Sequence, residues 1–283
     1  MNEFQSVEEN DRESMSMIFH PELGDIYCLN APEARATLHE ICNERLYFQS
    51  GVSISPGDLV LDIGANIGVF TLCAAKQGAQ VYAYEPVSPT FAVLERNIQL
   101  HDLNKVVQTR NIGFSDRAEE KMMFHYPSLS VCDAWTAQDE LFNQLAKNWE
   151  TALAIIETAD PDQYSAIRRL ESRSQQQAAV REIVKNLSAS TVQIKCKFDT
   201  LSGVIAQESI EFIDLLKLDA ELADWEILNG LIAEDWQRIR QLAMEVHAEA
   251  DVTPITRFLK DHGFKQVAAK QLKMGTSCVW AIK

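Results

Sequence analysis

The chain has 283 residues, 46% hydrophobic and 24% charged, the balance of an ordinary soluble globular protein. No apolar run approaches the roughly 20 residues that span a bilayer. The 41 acidic and 26 basic residues leave a formal net charge of −15, a field that repels nucleic acid and anionic membranes and argues against both as partners.

Residues 1 to about 15 are acidic and polar and read as a mobile tail. They resemble neither a secretory signal nor a transit peptide, so the cytoplasm is the expected location. Residues 16–30 read as a β-hairpin turning at Pro21-Glu22-Leu23-Gly24. Residues 32–48 carry a helical stripe at Leu38, Ile41 and Leu46. After the Pro56-Gly57 turn, strands are expected at 58–63, 80–84, 106–112, 212–218 and 241–246, with a further extended segment at 121–126. Helices alternate with them at 69–76, 90–101, 223–231 and 252–262. Two closing strands, 264–270 and 277–282, joined by a turn near 273–276, form an antiparallel hairpin at the sheet edge. This rhythm predicts an α/β fold with a doubly wound, mostly parallel sheet.

Residues 133–188 break the rhythm and read as an insertion of two or three amphipathic helices, with a break at Asp160-Pro161. The expected organisation is therefore a tail, hairpin and cap helix over 1–50 and one domain over 51–283 that carries the insertion. The six cysteines form no C-x-x-C pair and no cluster with histidine, so buried reduced thiols are expected.

The strongest motif is Asp62-Ile63-Gly64-Ala65-Asn66-Ile67-Gly68-Val69-Phe70-Thr71. An apolar strand ends in an acid, a loop holds two glycines, and a helix begins. Glycines permit a tight backbone and close approach of a ligand, and the helix start offers free N–H groups. The dinucleotide pattern G-x-G-x-x-G fails here, with Asn66 and Val69 in its second and third glycine places. A P-loop fails too, because no Gly-Lys-Ser/Thr follows. Glu85, ending the second strand before Pro86, is placed to accept the ribose hydroxyls of an adenosine.

Together with residues 62–71, the segments Tyr84-Glu85-Pro86, 112–116 (IGFSD) and 215–228 (LLKLDAELADWEIL) resemble the FkbM-type family of class I methyltransferases. The resemblance covers roughly residues 40–283 apart from the insertion. It implies a Rossmann-like, seven-stranded class I fold, S-adenosylmethionine as cofactor, usually O-methylation, and roles in natural-product or sugar tailoring. It also implies that Gly64, Asn66 and Gly68 lie along the methionine part of the cofactor, with Asp62 below. Ala65, Phe70 and Pro86 fall in the same motifs and join this set. Glu85 holds the ribose, and Gly113, Phe114 and Ser115 border the adenine. Where the family often has Glu-Gly, this chain has Glu221-Leu222, which puts the local backbone shape in question.

Asp219 and Glu221 follow one strand, and Glu245 and His247 end another, on the same side as the loop. One reading is a catalytic group with His247 or an acid, Asp219 or Glu221, as general base. Another is a divalent metal on Asp219, Glu221 and Glu245. A third is a structural hydrogen-bond network in which Asp219 caps the next helix. Lys217, on an apolar strand, needs a partner such as Asp219 or Glu221. Tyr47 either covers the cofactor or packs. His125 and Tyr126, before Pro127-Ser128, either line the acceptor pocket or lie on the surface. Arg168, Arg169, Arg173, Arg181 and Lys185 in the insertion form a solvated face or a docking surface for an acidic carrier protein. The expected partners are thus a small-molecule or carrier-bound acceptor, and a second copy of the chain through its tryptophans. The expected reaction is in-line displacement at the sulfonium methyl. The rivals are a nicotinamide dehydrogenase, an N- or C-methyltransferase, and a non-catalytic cofactor-binding module.

Overall fold

The computed structural model describes residues 15–127, 129–135, 139–189, 191–272 and 276–283. Nearly all of the expected tail, Ser128 and most of the 273–276 turn lie outside the described residues. β1 (Ser16–His20) and β2 (Gly24–Cys28) pair antiparallel as the hairpin. α1 (Ala31–Leu38) starts at Asn30, whose side chain accepts from the Glu33 N–H at 3.0 Å. It widens into a π turn over His39–Asn43 and stops short of Phe48. Arg45, with φ of 51°, ends it, because that backbone is left-handed.

β3 (Leu59–Ile63), α2 (Val69–Lys76), β4 (Gln80–Tyr84), α3 (Ser88–Leu100) and β5 (Val107–Arg110) follow the predicted alternation. β6 (Gly113–Phe114) and β7 (Glu119–His125) then leave the main sheet and join β8 (Val192–Asp199) in a three-stranded sheet ordered β6-β8-β7. The insertion lies between β7 and β8 and comprises α4 (Asp139–Lys147), α5 (Trp149–Ala159), α6 (Pro161–Arg168) and α7 (Arg173–Ala189). Among the described residues it thus holds more helices than the two or three expected. The break at Asp160 is as read, with its carboxylate accepting from the Gln163 N–H at 3.0 Å. The extra break at Asn148 carries neither proline nor glycine. α8 (Leu201–Gln207), β9 (Leu215–Leu218), α9 (Asp224–Asn229), α10 (Ala233–Trp236), β10 (Gln241–Val246), α11 (Glu249–Asp261), β11 (Gln266–Gln271) and β12 (Ser277–Ile282) complete the chain.

The main sheet has seven strands in the order β11-β12-β10-β9-β3-β4-β5. β10, β9, β3, β4 and β5 run parallel, and β12 runs antiparallel to both its neighbours. The closing hairpin therefore forms, but its second strand lies inside the sheet. β12 is apolar and buried along nearly its whole length, while β11 is mostly exposed and takes the edge.

Alternate strand residues feed two cores, one on each face. Val60 joins Phe70, Leu72, Val93, Leu94 and Ile98, whereas Leu61 joins Leu201, Ile227, Ile255 and Leu259. The first core also takes Ile26, Leu38, Leu46 and Tyr47, so the N-terminal segment shares a core with the sheet. The insertion has its own core around Phe142, Trp149, Ile156 and Val180. All five tryptophans are buried or half-buried and pack in the cores. Within the insertion Arg173 pairs with Glu150, Arg181 donates to the Ala146 carbonyl and Arg168 donates to Gln176. Among the described residues no helix is long and apolar enough to cross a membrane.

Candidate active site

The carboxyl ends of β3, β4, β9 and β10 meet at one side of the sheet, and the loop after β3 crosses them. Gly64 takes φ of 72° and Asn66 φ of 50°. A Cβ on Gly64 would lie 1.7 Å from the Asp219 carbonyl oxygen, so the neighbouring strand end demands glycine there. Gly68, φ of 92°, precedes α2 and faces Leu94 of α3, where a Cβ would come within 2.6 Å of a methyl group. The structure thus gives both glycines a packing requirement, and Gly64 also lines the cavity described below.

Beneath this loop Asp62 is fully buried. Thr71 Oγ1 donates to Asp62 Oδ2 at 2.5 Å, and Lys217 Nζ lies 3.1 Å from Asp62 Oδ1. Lys217 also donates to the Gly64 carbonyl at 2.7 Å and stands 3.7 Å from Asp219. Burial pushes the Lys217 ammonium down, but the Asp62 and Asp219 carboxylates outweigh it and hold its pKa above the ordinary value. Asp62 is thus the partner of Lys217, and it does not line the cavity.

Glu85 is buried at the end of β4. Its two carboxylate oxygens accept from the Asn66 N–H at 3.0 Å and the Val87 N–H at 2.9 Å. Burial pushes the carboxyl up to about 8, against the pull of those two donors. Asn66 Nδ2 donates to Ser130 Oγ at 3.2 Å, and Ser130 donates in turn to Glu33 at 3.0 Å. Glu33 also accepts from the Val131 N–H at 2.7 Å, and burial pushes it up to about 7. This chain of bonds ties the loop to the insertion's first segment and to α1.

A cavity of about 1220 Å³ opens over these groups. It exceeds the roughly 300–1,000 Å³ of a site for one ligand. It is lined by Gly64, Ala65, Asn66, Phe70, Glu85, Pro86, Gly113 and Phe114, with Met123, Trp135 and Phe198. Residues of α1 and of the insertion helices α5 and α7 also contribute to its wall. Gly68 and Ser115 stay outside the lining. Ser115 is fully buried and donates to Glu119 at 3.0 Å.

Asp219, Glu221, Glu245 and His247 do converge, and all four line the cavity. Tyr47 Oη lies 2.8 Å from Asp219 Oδ2 and 3.0 Å from Glu245 Oε1. A phenol carries one proton, so two such short contacts require a second proton on the carboxyl pair. Burial, with the nearby Asp219 charge, pushes Glu245 up to about 8, which supplies it. His247 Nε2 stands 3.4 Å from Glu221, its Nδ1 3.6 Å from Asp224, and its backbone N–H donates to Asp224 at 3.2 Å. Burial alone would lower the imidazole, but Glu221 and Asp224 raise it well above its ordinary value. An imidazolium has no lone pair for a substrate proton, so the expectation of His247 as base conflicts with its surroundings.

The metal expectation also shifts. The groups whose ligand atoms lie within 4.8 Å of one another are Asp219, Glu245 and His247, and Glu221 is not among them. Tyr47 bridges both carboxyls and His247 lies between Glu221 and Asp224, so an ion held by this trio would have to displace those contacts. Leu222, in the place of the family's glycine, has φ of 65° and lines the cavity, so the chain keeps the glycine-like backbone with a side chain on it.

Other residues fall differently from the sequence reading. His125 is buried, with Nδ1 2.7 Å from Asp133 Oδ2. Tyr126 is buried against Phe142, and its N–H donates to Asp133 at 2.8 Å. Neither residue lines the cavity. Glu33, Ser130, Asp133 and Asp224 were not singled out from the sequence, where each reads as an ordinary loop or cap residue.

The reversed strand within a doubly wound parallel sheet, with a glycine loop and a ribose-type acid over one large cavity, defines a class I methyltransferase. The methyltransferase FkbM domain model matches residues 62–265, and the chain belongs to that family. The chain is 32% identical over 247 residues to the 31-O-demethyl-FK506 methyltransferase FkbM of Streptomyces tacrolimicus, covering 85% of each. It is 28% identical over 275 residues to the AMB antimetabolite synthetase AmbE of Pseudomonas aeruginosa, covering 92% of this chain but 12% of that protein. The solved methyltransferase FkbM from Methylobacillus flagellatus aligns at 13% identity with a TM-score of 0.49, over 84% of this chain and 47% of that one.

Proposed function

We propose that the chain uses S-adenosylmethionine to methylate an oxygen of a small-molecule, sugar or carrier-bound natural-product intermediate. One observation carries this reading: the Gly64 loop with Glu85 and the Tyr47–Asp219–Glu245 group open into the same cavity. When bound, the cofactor supplies an electrophilic sulfonium methyl. Glu85 suits its ribose, because the buried carboxyl group has lone pairs left beyond the Asn66 and Val87 bonds. Phe114, Trp135 and Phe198 offer aromatic walls for its base.

The acceptor hydroxyl must lose its proton during attack. The carboxyl pair of Asp219 and Glu245, bridged by Tyr47, is the base. His247, fixed by Glu221 and Asp224, orients Asp219 at 3.8 Å. Oxygen as acceptor atom is supported by the name of the Streptomyces relative, and a carrier-bound acceptor by the likeness to part of a synthetase. The expected interior of the site is tested by thermal shift. S-Adenosylhomocysteine should raise the melting temperature and NAD should not; the reverse order would defeat the reading. NMR of a product formed with carbon-13-labelled methyl donor should place the label on oxygen, and a label on nitrogen or carbon would refute O-transfer.

A further inference from the structure

Two of the six cysteines touch. Cys42 Sγ in the π turn and Cys73 Sγ on α2 are 3.4 Å apart, although 31 residues separate them in the chain. Elsewhere the thiols of Cys28 and Cys196 donate to the backbone carbonyls of Ser16 and Ile194, and that of Cys278 faces the Leu46 carbonyl. Cys73 is half-buried, and the other five cysteines are buried. The contact makes the two thiols unequal. Cys73 donates to the Cys42 sulfur, which holds the Cys42 pKa below the ordinary thiol value against the opposing effect of burial. The same bond, with burial, pushes Cys73 up. One sulfur is therefore readied as a thiolate nucleophile beside a second that keeps its proton.

The pair sits behind a wall of the cavity. Ile41 and Tyr47, on either side of Cys42 in sequence, line it, and so does Phe70, which precedes Cys73 on α2. The Phe70 ring packs edge-on to Tyr47 at 5.4 Å and stacks on Phe48 at 5.5 Å. A bond between the two sulfurs would join the segment that carries Tyr47 to the helix that follows the Gly64 loop.

We propose that Cys42 and Cys73 form a site of reversible oxidation, at which hydrogen peroxide converts the two thiols into a disulfide that staples the N-terminal segment to α2. The Cys42 thiolate attacks one peroxide oxygen. The O–O bond breaks, Cys42 becomes a sulfenic acid, and the departing hydroxide takes up the proton that Cys42 released. The Cys73 sulfur then attacks the Cys42 sulfur. The S–S bond forms, the S–O bond breaks, and water leaves with the Cys73 proton. Both sulfurs are oxidised and both peroxide oxygens are reduced to water. The sulfurs close from 3.4 Å to the roughly 2.05 Å of a disulfide, and thiol exchange with a reductant opens the bond again. The bond forms whether or not the cavity takes S-adenosylmethionine.

The test is peptide mapping of the full chain after a small excess of hydrogen peroxide, with free thiols alkylated and no reduction before digestion. The chain should lose two of its six thiols, and a cross-linked peptide should join Cys42 to Cys73. Dithiothreitol should restore both thiols. Backbone hydrogen exchange over residues 39–48 should be slower in the oxidised chain than in the reduced one. Cys73→Ser keeps a donor beside Cys42, so it should form no bridge and leave a sulfenic acid on Cys42 that dimedone captures. Cys42→Ser should give neither product. Retention of all six thiols overturns the inference, as does a bridge between other cysteines or between two chains, or dimedone capture on Cys73 in Cys42→Ser. Unchanged exchange over residues 39–48 would overturn the stapling. The mapping and exchange of the unmutated chain decide the matter even where a variant fails to fold.

Discussion

Lys217 Nζ lies 3.1 Å from Asp62 Oδ1, with both side chains buried beneath the loop that begins at Gly64. The pair joins β9 to β3 where the loop leaves the sheet. Removing one partner strands the other charge in the core. Asp62→Ala is expected to destabilise the fold by about 3–5 kcal/mol, and Asp62→Leu with Lys217→Met to recover most of that loss. Urea unfolding of the three proteins measures it; a double variant no better than Asp62→Ala would show that the pair is not the source of the loss.

Glu85→Ala should weaken S-adenosylhomocysteine binding by at least about ten-fold, because it removes the ribose acceptor and frees the Asn66 and Val87 N–H groups. Calorimetric titration reads this directly. Unchanged affinity would exclude Glu85 from the cofactor site.

Tyr47→Phe removes the hydroxyl between Asp219 and Glu245 but keeps the ring against Phe70. Its expected effect is a fall in kcat of about 10²-fold or more, with cofactor affinity nearly unchanged. The ascending limb of the pH–rate profile should also move, since the carboxyl pair loses its bridge. A normal profile and full turnover would leave Tyr47 a packing residue.

Stability should fall as pH rises from 5 to 8.5. Burial raises Glu33 from 4.5 to about 7 and Asp133 from 3.8 to about 6. The folded chain therefore holds these protons more tightly than the unfolded one. That stabilisation is complete below the unfolded values and is lost as pH climbs through 6 and 7. Glu85 and Glu245, at about 8, extend the loss upward. Glu33→Gln keeps an oxygen for Ser130 and Val131 and should flatten the profile, gaining up to about 3 kcal/mol relative to the wild type at pH 8. Melting curves across pH test the sign; a rise toward pH 8 would contradict it.

Leu222 sits in left-handed backbone that costs a non-glycine residue roughly 1 kcal/mol. Leu222→Gly should relieve that strain, with some of the gain offset by the glycine's greater freedom when unfolded. It should also widen the cavity that Leu222 lines. A loss of more than 2 kcal/mol in chemical unfolding would show that the side chain, not the backbone, dominates there.

Local motifs explain what was legible beforehand. Asp62–Thr71 and Tyr84-Glu85-Pro86 each lie within one strand and its turn, so neighbouring residues mark both the element and its chemistry. The Glu221-Leu222 departure marked a backbone peculiarity that the positive φ of Leu222 displays. The Tyr47–Asp219 contact was hidden because its partners are 172 residues apart in the chain. The charge state of His247 was hidden for the same reason, since it depends on Glu221 and Asp224 from another strand end. β8 was missed although Ile194, Cys196 and Phe198 alternate with lysines as an amphipathic strand does, because the long helical run before it masked a period-2 signal.

The N-terminal segment has a practical consequence through its shared core. The matched family region begins at residue 62, yet Glu33 and Tyr47 lie before it and line the cavity. Expressing the domain from that family border would leave its cavity without a wall and without the phenol that bridges Asp219 and Glu245. A workable fragment has to start upstream of β1.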